Sequence, residues 1–195
     1  MNATLAAELI ALREHDIAVR EELARDGSLF GGYHPRMEAV HRANAARLRE
    51  IIAEHGWPGT PLVGTRGAQA AWLIAQHAIG EPEFMRQCRD LLAGAVAAGA
   101  APAWHLAYLD DRIRVFEDKP QRYGTQLRAG ADGRAEPCPL ENPAGVEALR
   151  AEVGLPPLAD ALAQARLHPP LLPAAQSAKD AAEREWRRKV GWLKA

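Results

Sequence analysis

The stretch Ala68-Gln69-Ala70-Ala71-Trp72-Leu73-Ile74-Ala75-Gln76-His77-Ala78-Ile79 decides the fold, because it is apolar on nearly every side of a helix. A helix with no face to give to water belongs at the centre of a helical assembly. The pattern predicts that helix over about residues 65 to 79. Two polar residues, Gln76 and His77, stand near its end. Burying such groups without partners is costly, so their presence there marks a place where polar groups gather.

Working outward, Leu5, Leu9, Leu12, Val19 and Leu23 recur at helical spacing and predict a first helix from about 3 to 25. Asp16 falls in that same seam, where an apolar residue is expected. Residues 26–34 carry Gly27, Gly31 and Gly32 and end the helix. Pro35 suits the first turn of a second helix, about 35 to 55, with the seam Met37, Val40, Asn44, Leu48 and Ile51 and with His41 beside it. Gly56 caps it, and Trp57-Pro58-Gly59 turns the chain. On the other side of the central segment, Pro82 opens an alanine-rich helix over 82 to 98 that ends at Gly99. A fifth helix, about 102 to 117, shows two faces: Leu106, Leu109, Ile113 and Phe116 on one, Trp104, Tyr108, Asp111 and Val115 on the other.

Beyond Pro120 the pattern changes. Residues 123–128 and 134–138 read as a short β-hairpin around Ala129-Gly130-Ala131-Asp132-Gly133, with Tyr123, Thr125 and Leu127 on one face. Two short helices (about 143–152 and 157–167) follow, then a proline-rich connector from Pro169 to Pro173. A last amphipathic helix, about 176 to 194, has Ala182, Trp186, Val190 and Leu193 on one side. The expected fold is mainly α: a bundle of five or more helices with a small β-hairpin. One helical domain is expected over 1–167, with the hairpin at 121–140, and the connector and amphipathic helix over 168–195.

A chain of 195 residues is long enough for a substantial core without staples. The net charge of -1 gives no electrostatic case for nucleic acid or an anionic membrane as partner. Cys88 and Cys138 have no CxxC-type spacing and read as a reduced pair of thiols. The first residues lack the basic and then apolar pattern of a signal peptide, and no uncharged apolar run reaches the roughly 18 residues that span a bilayer. A cytoplasmic protein is expected. Neither GxGxxG nor a Walker loop is present, so no organic cofactor is expected. The GxSxG nucleophile elbow and HExxH are absent too.

Three polar clusters carry the functional reading: Gln76-His77, Tyr108 with Asp111-Arg112, and Gln121-Arg122-Tyr123-Gly124-Thr125-Gln126. His77 reads either as a core histidine bonded to a carbonyl or carboxylate, or as a general acid/base, since imidazole titrates near neutrality. Asp111 reads either as half of a structural ion pair with Arg20 or Arg112, or as the carboxylate that orients His77. Asp16 with Arg20 reads as an i,i+4 helix pair whose acid, from its seam position, faces the central helix.

The leading expectation is an enzyme acting on a small polar or peptide-like metabolite by hydrolysis, cyclisation or elimination. His77 and Asp111 would be catalytic, with Arg112 as anchor for a substrate carboxylate or phosphate. Gln76, Tyr108, Gln121, Tyr123, Thr125 and Gln126 would position the substrate. A second expectation is a non-catalytic binding or regulatory protein, using the tryptophan-bearing terminal helix as a homodimer contact or a dock for a partner protein. A third is a metal-dependent enzyme using His41, His77 and Asp111, although no local spacing demands a metal and no metal ligand is assigned.

The same residues resemble the bacterial uncharacterised proteins grouped as DUF6624. The likeness rests on Gly56-Trp57-Pro58, Gly64, Ala71-Trp72-Leu73, Gln76-His77-Ala78, Ala107-Tyr108-Leu109 with Asp111-Arg112-Ile113, Gln121 with Tyr123-Gly124-Thr125-Gln126, and Arg150 with Gly154-Leu155. Asp16, Arg20 and Asn44 fit the pattern as well. It covers about residues 5 to 162. Position 41 departs from it, being His41 where the family often carries Asp, and the tail beyond about 165 lies outside it. The resemblance implies the polar site and brings no reaction with it.

Overall fold

The apolar periodicities form helices in the computed structural model, which describes residues 1–167 and 173–193. The chain is mainly α, with one two-stranded antiparallel sheet among the described residues. It divides into two compact units, Met1–Pro102 and Ala103–Ala195.

The first unit holds α1 (Ala3–Arg25), a short 3-10 turn (Ser28–Gly31), α2 (Pro35–His55), α3 (Thr60–His77) and α4 (Pro82–Ala97). Each start has a local cause. Asn2 accepts from the Leu5 N–H at the head of α1, and His34 accepts from the Arg36 N–H ahead of Pro35 in α2. The three helices α1, α2 and α3 pack on one another. Leu9, Ala45, Leu48, Ile51, Ala70, Ala71, Ile74 and Ala75 are buried between them, and Phe84, Met85, Cys88 and Leu92 are the buried residues of α4. Gly67 lies where α3 passes close to α1. A Cβ on it would lie 2.8 Å from Val63 Cβ and 3.3 Å from Ala6 Cα.

The central helix has an extra irregular turn before its expected start and ends two residues short of its expected end. It begins at Thr60, but Gly64 has φ 69 and ψ 173 and interrupts it, so the regular rod starts at residue 65. It ends at His77, with Ala78 as its cap. Trp72 and Leu73 are half-buried, so burial is complete only along the alanine side.

The second unit holds α5 (Ala103–Phe116), β1 (Leu127–Ala129), β2 (Ala135–Pro137), α6 (Val146–Glu152), α7 (Leu158–Ala165) and α8 (Pro173–Val190). The strands pair Leu127 with Pro137, Arg128 with Glu136 and Ala129 with Ala135. The hairpin is shorter than expected, because residues 123–125 do not pair and Gln126 joins only through its carbonyl, which accepts from the Cys138 N–H at 3.0 Å. Gly124 has φ +68, outside the extended region, and turns the chain there. A Cβ on it would also lie 3.1 Å from Leu158 Cδ1 in α7.

The terminal helix docks within its own unit. Trp192 stacks on Phe116 at 5.1 Å, and Trp186 meets the same ring edge-on at 6.2 Å. Arg187 Nη1 donates to the Val115 carbonyl at 2.9 Å and to the Phe116 carbonyl at 3.3 Å, both at the C-terminal end of α5. The connector expected at Pro169–Pro173 lies largely outside the described residues.

No helix among the described residues is long and apolar enough to cross a membrane. Both cysteines are buried free thiols, and burial pushes the Cys88 thiol up to about 12, so it stays protonated and inert.

Candidate functional site

Three helices of the first unit each bring one titratable side chain to the same point. Asp16 comes from the apolar seam of α1, His41 from α2 and His77 from the last position of α3. Asp16 is 1% exposed and His41 8%, while His77 is half-buried. His77 Nδ1 lies 2.8 Å from Asp16 Oδ2. His41 Nε2 approaches the same oxygen at 3.4 Å, close enough for attraction but outside good hydrogen-bond geometry. The two imidazole rings are 5.0 Å apart.

Tyr33, from the segment before α2, completes the line. Its hydroxyl is 2.8 Å from His41 Nδ1, and its ring stacks on the imidazole. One turn along α2 from His41, Asn44 Nδ2 donates to the Leu12 carbonyl at 3.3 Å and ties α2 to α1.

Burial pushes the Asp16 carboxyl up, but the contacts from His41 and His77 outweigh it and hold the carboxyl well below the usual range. Asp16 is therefore an ionised carboxylate at neutral pH. Such a group only accepts, so His77 Nδ1 carries the proton of that contact. Two atoms of the cluster, Asp16 Oδ1 and His41 Nε2, are buried with no hydrogen-bond partner. Among the described residues this is the one group of three or more His, Cys, Asp or Glu whose ligand atoms converge, all within 4.8 Å of one another.

In the second unit the turn carrying Gln121, Tyr123, Thr125 and Gln126 is built around Asp111, which is fully buried. Its carboxylate accepts from the Arg122 N–H at 2.7 Å and the Tyr123 N–H at 3.1 Å. It also accepts from the Thr125 N–H and hydroxyl, both at 3.0 Å. Gln121 works the same stretch from the other side. Its Nε2 donates to the carbonyls of Gln126 and Cys138, both at 2.9 Å, and its Oε1 accepts from the Gln126 N–H at 2.8 Å. Arg150 Nη1 donates to the Tyr123 carbonyl at 2.6 Å, and its Nε to the Pro156 carbonyl at 2.7 Å. Gln126 Nε2 donates to Thr125 Oγ1 at 3.1 Å, and the Arg122 guanidinium lies over the Tyr123 ring at 5.5 Å. Tyr108 is half-buried and meets Trp104 edge-on at 6.0 Å. Arg112 is half-buried, and Gln76 is buried at the end of α3 in the first unit.

Two pairings expected from the sequence are thereby corrected. The carboxylate on His77 is that of Asp16, while Asp111 is taken up by the backbone of residues 122–125. For the same reason the group that converges with His41 and His77 includes Asp16 in place of Asp111. Within its own unit Asp111 is not held by the neighbouring Arg112 either; both its oxygens accept from N–H groups and the hydroxyl of the turn. The signal for Asp16 was an acid at a seam position. For Arg150, fully buried among carbonyls, the signal lay in the family likeness, where it stands with Gly154-Leu155, and not in periodicity.

Residues 3–166 match the sequence model described as a family of unknown function, DUF6624. The chain belongs to the DUF6624 family. No curated protein and no solved structure matches it. In this DUF6624 protein the matched span contains both the Asp16–His41–His77 cluster and the turn built around Asp111, and it ends before α8.

Proposed function

We propose that this DUF6624 protein is an enzyme acting on a small polar or peptide-like metabolite by general acid–base chemistry at the Asp16–His41–His77 cluster. The observation that carries the reading is the 2.8 Å contact between His77 Nδ1 and a buried, ionised Asp16. The carboxylate fixes the tautomer: with the proton on Nδ1, the basic lone pair is on Nε2. It also stabilises the positive charge that forms when Nε2 takes a proton, the role of the orienting acid in hydrolase triads. His77 is the most exposed of the three residues, at the end of its helix, and so is the one placed to exchange protons with a substrate. Hydrolysis, cyclisation and elimination all need such a proton carrier.

The test is an untargeted assay in which purified protein is incubated with a pool of small metabolites and short peptides, and consumption is followed by mass spectrometry. The wild type should consume at least one compound. His77→Gln, folded by circular dichroism and melting normally, should slow that consumption by about 10²-fold or more. Unchanged turnover in that variant would sink the reading.

A further inference from the structure

We infer that Asp16, His41 and His77 form a binding site for a divalent transition-metal ion of the zinc class. The inference rests on reading the cluster as a reaction centre, and it changes how that centre works: an ion on His77 Nδ1 leaves the remaining proton on Nε2, so in the metal-bound form His77 is a ligand and not the base.

The donor set comes first. Two imidazoles and one carboxylate converge from three separate helices, with one ligand atom from each within 4.8 Å of the others. Mixed nitrogen and oxygen donors suit zinc and its neighbours, whereas calcium and magnesium prefer oxygen alone. Ligand atoms of a tetrahedral ion bound at roughly 2.0–2.1 Å stand roughly 3.3 Å apart. His41 Nε2 and Asp16 Oδ2 are 3.4 Å apart, already at that spacing. His77 Nδ1 and the same oxygen are 2.8 Å apart, so the ion would replace the proton between them and part them by about half an ångström.

The second observation is what the protein leaves undone. Asp16 Oδ1 and His41 Nε2 are buried and have no hydrogen-bond partner. An ionised oxygen buried without a donor carries the full cost of its lost hydration, which a cation beside it offsets. Tyr33 adds to the case. Its hydroxyl, 2.8 Å from His41 Nδ1, can accept a hydrogen bond from Nδ1–H, the tautomer that leaves the lone pair on Nε2 facing Asp16. Without an ion, that tautomer sets two acceptors 3.4 Å apart; with one, it is the outer-shell hydrogen bond that metal-ligating histidines regularly make. The three helices that supply the ligands are joined near the site, with Gly67 leaving no room for a side chain between α3 and α1 and Asn44 tying α2 to α1. Three protein ligands leave a fourth position for water, the pattern of catalytic rather than structural sites.

The test uses the full chain, stripped with a chelator and titrated separately with Co²⁺, Zn²⁺ and Mg²⁺. The expected result is one equivalent of Co²⁺ with visible absorption of a nitrogen- and oxygen-ligated ion, displaced by Zn²⁺ and unaffected by Mg²⁺. His41→Ala and Asp16→Asn should each weaken Zn²⁺ binding more than 100-fold. Tyr33→Phe should weaken it by about 10-fold. Circular dichroism guards against unfolding, and His41→Gln serves as the milder variant if His41→Ala does not fold. The inference is overturned if the wild type binds no stoichiometric Co²⁺ or Zn²⁺, or if folded His41 and Asp16 variants bind them equally well. Turnover that survives chelation but needs His77 would also overturn it, and would leave the acid–base reading standing. Stoichiometric binding in a protein that consumes no metabolite would support the metal site and count against the enzyme.

Discussion

Asp16 and Asp111 are the same residue type at the same depth, 1% and 0% exposed, one in each unit. Asp111 accepts from three backbone N–H groups and a hydroxyl, all supplied by one short turn, and both its oxygens are engaged. Asp16 meets two imidazoles on a single oxygen and has the other oxygen buried without a donor. Burial alone therefore does not mark a functional acid. The partners do. Backbone donors cannot titrate or leave, so a carboxylate they saturate is part of the frame. Imidazoles can gain and lose protons or take a metal, so a carboxylate they flank sits in a setting that can change.

The largest effect on stability should come from the framework acid. Asp111→Asn turns an amide toward N–H groups that need an acceptor. It should lower unfolding stability by about 3–5 kcal/mol in urea titration and release the amides of residues 122–125 to hydrogen exchange. A neutral result would break the contrast between the two acids.

A buried imidazole gives the next effect. Burial depresses the His105 pKa to about 4, against an ordinary value of 6.5. Between those values the unfolded chain binds a proton that the folded chain does not. Stability should therefore fall as pH drops from about 6.5 to about 4, by at most about 3 kcal/mol, and this term should level off below that. Urea titrations at neutral pH and near pH 4, with and without His105→Asn, measure it; a variant with the same acid sensitivity would refute the assignment.

The smallest stability effect should be at Asp16. Asn there keeps an acceptor for His77 Nδ1 but loses the ionised carboxylate that the folded state favours, so stability should fall by about 1–2 kcal/mol at neutral pH, less than at Asp111, while turnover and metal binding are lost. If Asp16→Asn unfolds as readily as Asp111→Asn, both acids are framework.

Much of this was legible in the sequence. Helical periodicity located α1, α2, α4 and α5 to within a few residues, because an apolar stripe is a local property. Position 65 as the start of the regular central rod was legible too, with Gly64 now seen as the reason. The hairpin was overextended because Tyr123, Thr125 and Leu127 alternate as a strand would. Nothing in that alternation reports that Gly124 adopts a positive φ and wraps the chain around Asp111. Asp16 was visible as an acid in an apolar seam. Its partners were not, since pairing it with His41 and His77 depends on how three helices rotate against one another. Asp111 could be placed on a buried face, but its donors are main-chain groups, which no residue pattern spells out.

One further consequence follows from α3 ending at His77. The peptide dipoles of a helix add up, and its C-terminus carries the equivalent of roughly half a negative elementary charge. The last turn of α3 therefore directs a negative potential at the place where the ionised Asp16 also sits. Both sources favour positive charge at His77, each falling off within a few ångströms. The geometry of a helix end thus gives this corner of the first unit a standing preference for cations, whether the cation arrives as a proton on an imidazole or as a metal ion between two of them.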